Sequence, residues 1–248
     1  MFLKLRNFHL MLLIVTLGLG LSLSGCGLVS HGFDREEMRT QLALQFPSIT
    51  DEDIKKASLT KSDLISPFSV AIFFRETVDR DLTNTRSSQW TDFDRKKIFE
   101  SFQKLKSDSV ISDFTTLNPL TVPGRDLKSL LLAGAHAHTD TILQISGIGS
   151  VDIYDNIWAL SYLPLFPLLF VRGTNVDVLY KVKAELWDIK NQYLFFSIDT
   201  ESILKETRPG WLIYQDLILE RTKILAIEKM RPILLKKMVE LKFKSSGR

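Results

Sequence analysis

From Val176 to Leu186 every even position is apolar: Val176, Val178, Tyr180, Val182, Ala184 and Leu186. The odd positions carry Asp177, Lys181, Lys183 and Glu185, with Leu179 the exception. A period of two over eleven residues has one economical solution, a β-strand with an apolar face against a core and a polar face toward water. Asp188 to Gln192 reads as a turn, and Tyr193 to Ile198 as the returning strand of a hairpin. The chain therefore contains an antiparallel sheet segment, and its remaining elements have to be compatible with that sheet.

Upstream the pattern changes. Phe68 to Phe74 reads as a strand rich in Phe, Val and Ile. Arg75 to Gln89, mixed and without a period, reads as a long loop. Thr91 can cap a helix from Asp92 to about Lys106, on which Ile98, Phe99, Phe102 and Leu105 form a stripe at helical spacing. Val110 to Phe114 predicts a second strand, Asp126 to about Ala137 a second helix, and Thr141 to Ile148 a third strand. Strand, helix, strand, helix, strand builds parallel pairs through right-handed crossovers. The fold class expected is α/β (α+β): a mixed sheet from a βαβαβ unit followed by an antiparallel hairpin. A long C-terminal helix ends the chain, from Trp211 to Phe243, where Pro232 should kink it or start a second helix. Asp34 with Glu37 three residues on predicts a capped short helix that ends before Pro47.

The amino terminus has a different origin. Lys4 and Arg6 precede a run of Leu, Ile, Val and Gly, and small residues follow at Ser24 and Gly25. That is the layout of a secretory signal peptide, with cleavage expected between Gly25 and Cys26. The run ends in too many glycines and serines for a spanning helix. The expected organisation is a signal peptide at 1–25, a lipidated tether at 26–33 and an N-terminal helix with connection at 34–67. An α/β domain at 68–205 and a C-terminal helical segment at 206–248 complete it.

Leu23-Ser24-Gly25-Cys26 resembles the bacterial lipobox. The resemblance implies that Cys26, the only cysteine, receives a thioether-linked diacylglycerol, becomes the new amino terminus and is then acylated, usually with palmitate. Each acyl CH₂ buried in lipid is worth about 0.8 kcal/mol, so two or three chains hold essentially permanently. Gly27 rather than Asp after the cysteine implies, in Gram-negative lipoproteins of the enterobacterial type, transfer to the outer membrane. With Cys26 acylated no intrachain disulfide is available.

The order of elements behind this cysteine resembles rhombotarget-type lipoproteins. It is also similar to the periplasmic α/β domain of curli-secretion and penicillin-binding-protein-activator lipoproteins, and to the amino-terminal domain of the Tol-system propeller protein. The stretches that carry the likeness are Phe68 to Phe74, Thr139 to Ile148, Asn156 to Tyr162, and Val176 to Phe196 with Leu186-Trp187-Asp188. The resemblance implies a non-enzymatic, partner-binding role in the cell envelope and carries no catalytic residues.

Charge and motifs bear on the other classes. The chain holds 32 basic and 29 acidic residues. Lys4 and Arg6 belong to the signal peptide, which has no acid, so the remainder is near neutral and no nucleic-acid partner is expected. His136, His138 and Asp140 suggest a metal site at first sight. On a helix, however, residues two apart point about 200° apart and cannot share a metal. Gly147-Ile148-Gly149 lacks the third glycine of a dinucleotide fingerprint, and strand bending accounts for it better; no cofactor is expected. No G-x-S-x-G elbow is present, and Asp152 with Asp155 reads as a solvated strand edge rather than an acid–base pair. Residues 220–248 hold nine basic and three acidic groups, which could face an anionic surface or simply form a solvated helix face.

Ile157 to Val171 is the most apolar stretch after the signal peptide, with twelve of fifteen residues apolar. Pro164 and Pro167 interrupt it, and it is too short to span a bilayer. It reads either as a buried strand to about Tyr162 plus a crossover, or as an interaction patch at Leu163, Leu165, Phe166 and Leu168. Together these readings point to a lipid-anchored, non-enzymatic interaction module with an envelope protein partner and membrane lipid held through Cys26. The alternatives are a subunit of an envelope secretion or transport assembly and, further off, an envelope hydrolase.

Overall fold

The computed structural model describes residues 30–42, 64–76, 85–86, 89–122, 124, 126–156, 172–209 and 212–246. In chain order the elements are α1 (Arg35–Leu42), β1 (Phe68–Arg75), β2 (Thr85–Arg86), α2 (Asp92–Ser107), β3 (Ile111–Thr116), α3 (Leu127–His136), β4 (Thr141–Asp155), β5 (Thr174–Asp188), β6 (Leu194–Arg208) and α4 (Gln215–Ser246). Chain contacts divide the protein into two compact units. The larger comprises Gly32–Asp152, Asp177–Glu206 and Tyr214–Arg248; the smaller contains the far ends of β4, β5 and β6.

Five strands follow the order β3-β1-β4-β5-β6, and the short β2 pairs with β4. β1 is parallel to β3 on one side and to β4 on the other, as two helical crossovers require. The second half is antiparallel. Ile189 N–H donates to Asp140 O at 3.1 Å and Asn156 N–H to Gly173 O at 2.7 Å, so β4 and β5 run in opposite directions through one register. β5 and β6 are a hairpin closed by Asp188, whose Oδ1 accepts from the N–H groups of Lys190 and Asn191. The mixed α/β sheet and its long terminal helix are as the periodicities predict.

Local chemistry starts and stops the helices. Thr91 and Asp94 form a reciprocal capping box on α2, and Asp126 caps α3 through Ser129. Asp34 Oδ1 accepts from Glu37 N–H at 2.9 Å and starts α1. His138, at φ 54°, turns the chain out of α3 toward β4.

Each sheet face buries its own set. Ile98, Phe102 and Leu105 of α2 are fully buried, and Phe74 of β1 meets Trp90 and Phe99 at 5.3 and 6.0 Å between ring centroids. On the opposite face Ala71, Ile142 and Trp187 pack with Leu130, Leu131 and Ala133 of α3. Met38 and Leu42 of α1 pack there on Ile148 and Leu179.

Three expectations need correction. The third strand continues past Ile148 to Asp155, because the two glycines inside it are places of close approach rather than an end. A Cβ on Gly149 would sit 2.4 Å from Leu219 Cδ1, and one on Gly147 would sit 2.6 Å from the Tyr180 hydroxyl. The last helix starts at Gln215 and carries Pro232 inside it, so Pro232 does not start a second helix. Its buried stripe is Ile218, Leu219, Thr222, Ala226, Ile227, Met230, Leu234 and Met238. The odd face of β5, finally, is not wet: Asp177, Lys181 and Glu185 are all buried.

Candidate functional site

The buried odd face of β5 is the most unusual chemistry among the described residues. Charged side chains leave water only when partners replace it, and here the neighbouring strand supplies them. Lys181 Nζ lies 3.2 Å from Glu201 Oε2, and Lys205 Nζ lies 2.7 Å from Asp177 Oδ2. Ser197 Oγ donates to Glu185 Oε1 at 3.5 Å, and Lys183 Nζ meets the same oxygen at 2.7 Å. These pairs belong to one register, with Glu185 opposite Ser197, Lys181 opposite Glu201 and Asp177 opposite Lys205. Opposite charges directly across an antiparallel pair stabilise it, so the ladder also locks the hairpin against slippage.

α1 lies across this ladder. Arg35 Nε reaches Glu201 Oε2 at 3.4 Å, so Glu201 serves two cations. Burial pushes its carboxyl up, yet the hydrogen bonds from Arg35 and Lys181 and their positive charges outweigh that and hold it below the usual carboxylate range. On β4 the same face presents Gln144, Ser146 and Asp152, all buried. Asp152 Oδ2 accepts from Gly32 N–H at 3.0 Å, which fastens Gly32 to the sheet. Gln144 Nε2, Ser146 Oγ and Glu185 Oε2 are buried without a hydrogen-bond partner. This is a charged, registered layer held together by ion pairs and hydroxyl groups. Its lysines and carboxylates are engaged with one another.

A second cluster joins α2 to α4. Lys223 Nζ lies 2.8 Å from Asp94 Oδ2 and 2.7 Å from Glu220 Oε2, and it donates to Gln89 O at 3.0 Å. Nearby, Arg231 Nε donates to Ser101 Oγ at 3.0 Å and its guanidinium meets Glu100 and Glu228. Lys97 reaches the same Glu228. Lys229 and Lys242 bond the carbonyls of Glu201 and Asp108. Lys223, Lys229, Arg231 and Lys242 of the last helix are therefore engaged with other elements, Lys223 in a fully buried position.

The sequence candidates are distributed as follows. Gly25 and Cys26 lie outside the described residues, as do Leu163, Leu165, Phe166 and Leu168 and the buried strand expected from Ile157 to about Tyr162. His136 ends α3 and His138 lies in the turn after it, both exposed. The Asp140 carboxylate is occupied at 2.7 Å by the N–H and the hydroxyl of Ser69. Among the described residues no group of three or more His, Cys, Asp or Glu could hold a metal ion. Asp152 and Asp155 are not a solvated edge: Asp152 is buried on Gly32, and Asp155 Oδ1 accepts from the Thr174 hydroxyl at 2.7 Å. Among the described residues no helix is long and apolar enough to cross a membrane. The ladder and the Asp94–Lys223 pair were missed from sequence. The signal available for the ladder was the opposite signs of Asp177 and Lys181 on β5 and of Lys205 and Glu201 on β6.

No family model matches the chain, and no curated protein matches it. Among solved structures it is similar to a neuraminyllactose-binding hemagglutinin homolog from Helicobacter pylori at 10% identity and a TM-score of 0.38, covering 75% of this chain and 94% of that one. A Xanthomonas campestris protein of the DUF330 family gives 10% identity and 0.33, covering 75% and 95%. Rare lipoprotein B from Shewanella oneidensis gives 9% and 0.29, covering 72% and 96%. At these scores no activity or partner passes from those proteins to this chain.

Proposed function

We propose that this chain is a lipoprotein of the bacterial cell envelope, anchored through acylated Cys26 to the periplasmic face of the outer membrane. It works there as a non-enzymatic interaction module accessory to an envelope assembly. The observation that carries the reading is Leu23-Ser24-Gly25-Cys26 at the end of a basic, then apolar, amino terminus. The folded part supports it in one respect. Gly32 is already fastened to Asp152, and six residues at about 3.3–3.6 Å each let Cys26 stand no more than roughly 22 Å away. A module on so short a leash meets partners that are themselves close to the lipid surface. The apolar stretch with Leu163, Leu165, Phe166 and Leu168 is the contact surface proposed for such a partner.

Cys26→Ser is the direct test. The variant should stay in precursor form or move from the membrane to the soluble fraction, and it should lose label in cells fed a clickable fatty acid. Label retained by the serine variant would remove the basis of the reading.

A further inference from the structure

We propose that the groove between the carboxyl-terminal ends of α2 and α4 binds a fatty acid, its carboxylate on Lys104 and Lys236 and its chain laid along the groove toward Phe243. The groove has a volume of about 320 Å³, and its apolar lining is Leu105, Leu235, Val239 and Phe243. Ligand pockets span about 300–1,000 Å³ and are mostly apolar with a few placed polar groups, so this one suits a small ligand. Leu105 is fully buried and Phe243 is 71% exposed, so the floor rests on the core while the far wall stands in water.

Charge decides the head group and its direction. α2 and α4 run the same way, because Lys223 meets Asp94, Glu228 meets Lys97 and Lys242 donates to Asp108 O. Lys104 and Lys236 therefore stand at one end of the groove, and Asp108 and Glu240, one helical turn further on, at the other. Both lysines are exposed, and neither takes part in an ion pair among the described residues. The acids are answered: Glu240 pairs with Lys237 at 3.2 Å, and the Lys242 ammonium brings a positive charge to Asp108. Two uncompensated ammonium groups at one end only select an anionic head there.

The tail is aliphatic rather than peptidic. Both walls are helical, and the carbonyls of Lys104, Leu105, Lys106 and Asp108 at the end of α2 already accept from Asp108, Val110, Ser109 and Lys242. A peptide in the groove would bury amide groups with no partner, a cost that an acyl chain does not carry. From Lys236 to Phe243 the groove follows α4 for about 10 Å, at about 1.5 Å per residue, which holds part of one acyl chain lengthwise.

The probe is palmitic acid carrying a diazirine and an alkyne, added to isolated envelopes that contain the full chain and then irradiated. Crosslinked peptides should map to α2 around Leu105 and to α4 between Leu235 and Phe243, and unlabelled palmitate should compete. The corresponding fatty alcohol, which offers the lysines no charge, should label several-fold less. Lys104→Glu with Lys236→Glu should cut labelling by the acid several-fold and leave the melting temperature in place, because both side chains are exposed. The same change of charge at Lys96 and Lys128, also exposed, should alter nothing. Val239→Trp, which fills the groove, should remove labelling by both probes; if that variant fails to fold, the lysine pair decides alone. Labelling that maps elsewhere, equal labelling by acid and alcohol, or labelling that survives the change of both lysines would each overturn the proposal. Absence of labelling overturns it too, including the case in which a partner protein covers the groove.

Discussion

Lys223 shows how little a residue's type says about its place. Its side chain is 0% exposed and that of Asp94 is 1% exposed. Asp94 at the same time accepts from Thr91 N–H and the Thr91 hydroxyl at the start of α2. One carboxylate thus closes a helix cap and neutralises a buried ammonium on another helix. Removing one partner of a buried pair leaves an uncompensated charge, which costs about 3–5 kcal/mol. Lys223→Met is expected to destabilise by that order in urea unfolding. Lys223→Met combined with Asp94→Asn should recover part of the loss, since the amide is neutral and can still accept from the Thr91 cap. If the double variant is as unstable as the sum of the two single variants, charge burial is not the cause.

At the scale of the element, β5 is buried on both faces by different means. Its even face meets apolar side chains, and its odd face meets opposite charges on β6 and the apolar side of α1. Val182→Asp buries an acid with no partner and should cost several kcal/mol. Lys181→Asp should cost a comparable amount, because the new carboxylate would face Glu201 in a buried position. The plain amphipathic reading expects only changes on the even face to matter. Thermal melts of the two variants separate these outcomes: a neutral Lys181→Asp would mean that the odd face is open to water.

For the larger compact unit as a whole, two shared carboxylates tie elements far apart in sequence. Glu201 of β6 joins α1 to β5, and Glu228 of α4 joins Lys97 of α2 to Arg231. The hydrogen bond from Lys97, with the charges of Arg231 and Lys97, holds Glu228 below the usual carboxylate range against the opposing effect of burial. Glu201 is lowered as well. A carboxyl depressed in the folded state contributes stability above the unfolded value, about 4.3 for glutamate. That contribution is lost as the pH falls through the folded value. The melting temperature should therefore decline on acidification below about pH 4. Glu201→Gln with Glu228→Gln should start lower at neutral pH and show a shallower decline. Equal acid slopes for variant and parent would assign acid sensitivity to other groups.

The strands and helices were legible because their signals are local. Alternation from Val176 to Leu186, the cap at Thr91 and the apolar run from Phe68 to Phe74 each depend on the backbone period of the segment itself. The alternation of the two element types then restricts the sheet to a parallel half and an antiparallel half. The amino-terminal expectation, a signal peptide ending in a lipobox, rests on linear chemistry in the same way and on no tertiary contact. What local pattern could not decide was the environment of the polar side chains. Lys181 and Lys223 look like surface lysines in sequence, because a charge declares a preference for water until a partner is brought to it. Those partners, Glu201 and Asp94, lie 20 or more residues away along the chain and reach them only when β6 folds back on β5 and α4 packs on α2. Gly149 likewise reads as a bend in the strand until Leu219 fills the space where its side chain would be. Period and cap determined the elements; burial, which depends on what a second element brings, was decided by the tertiary structure alone.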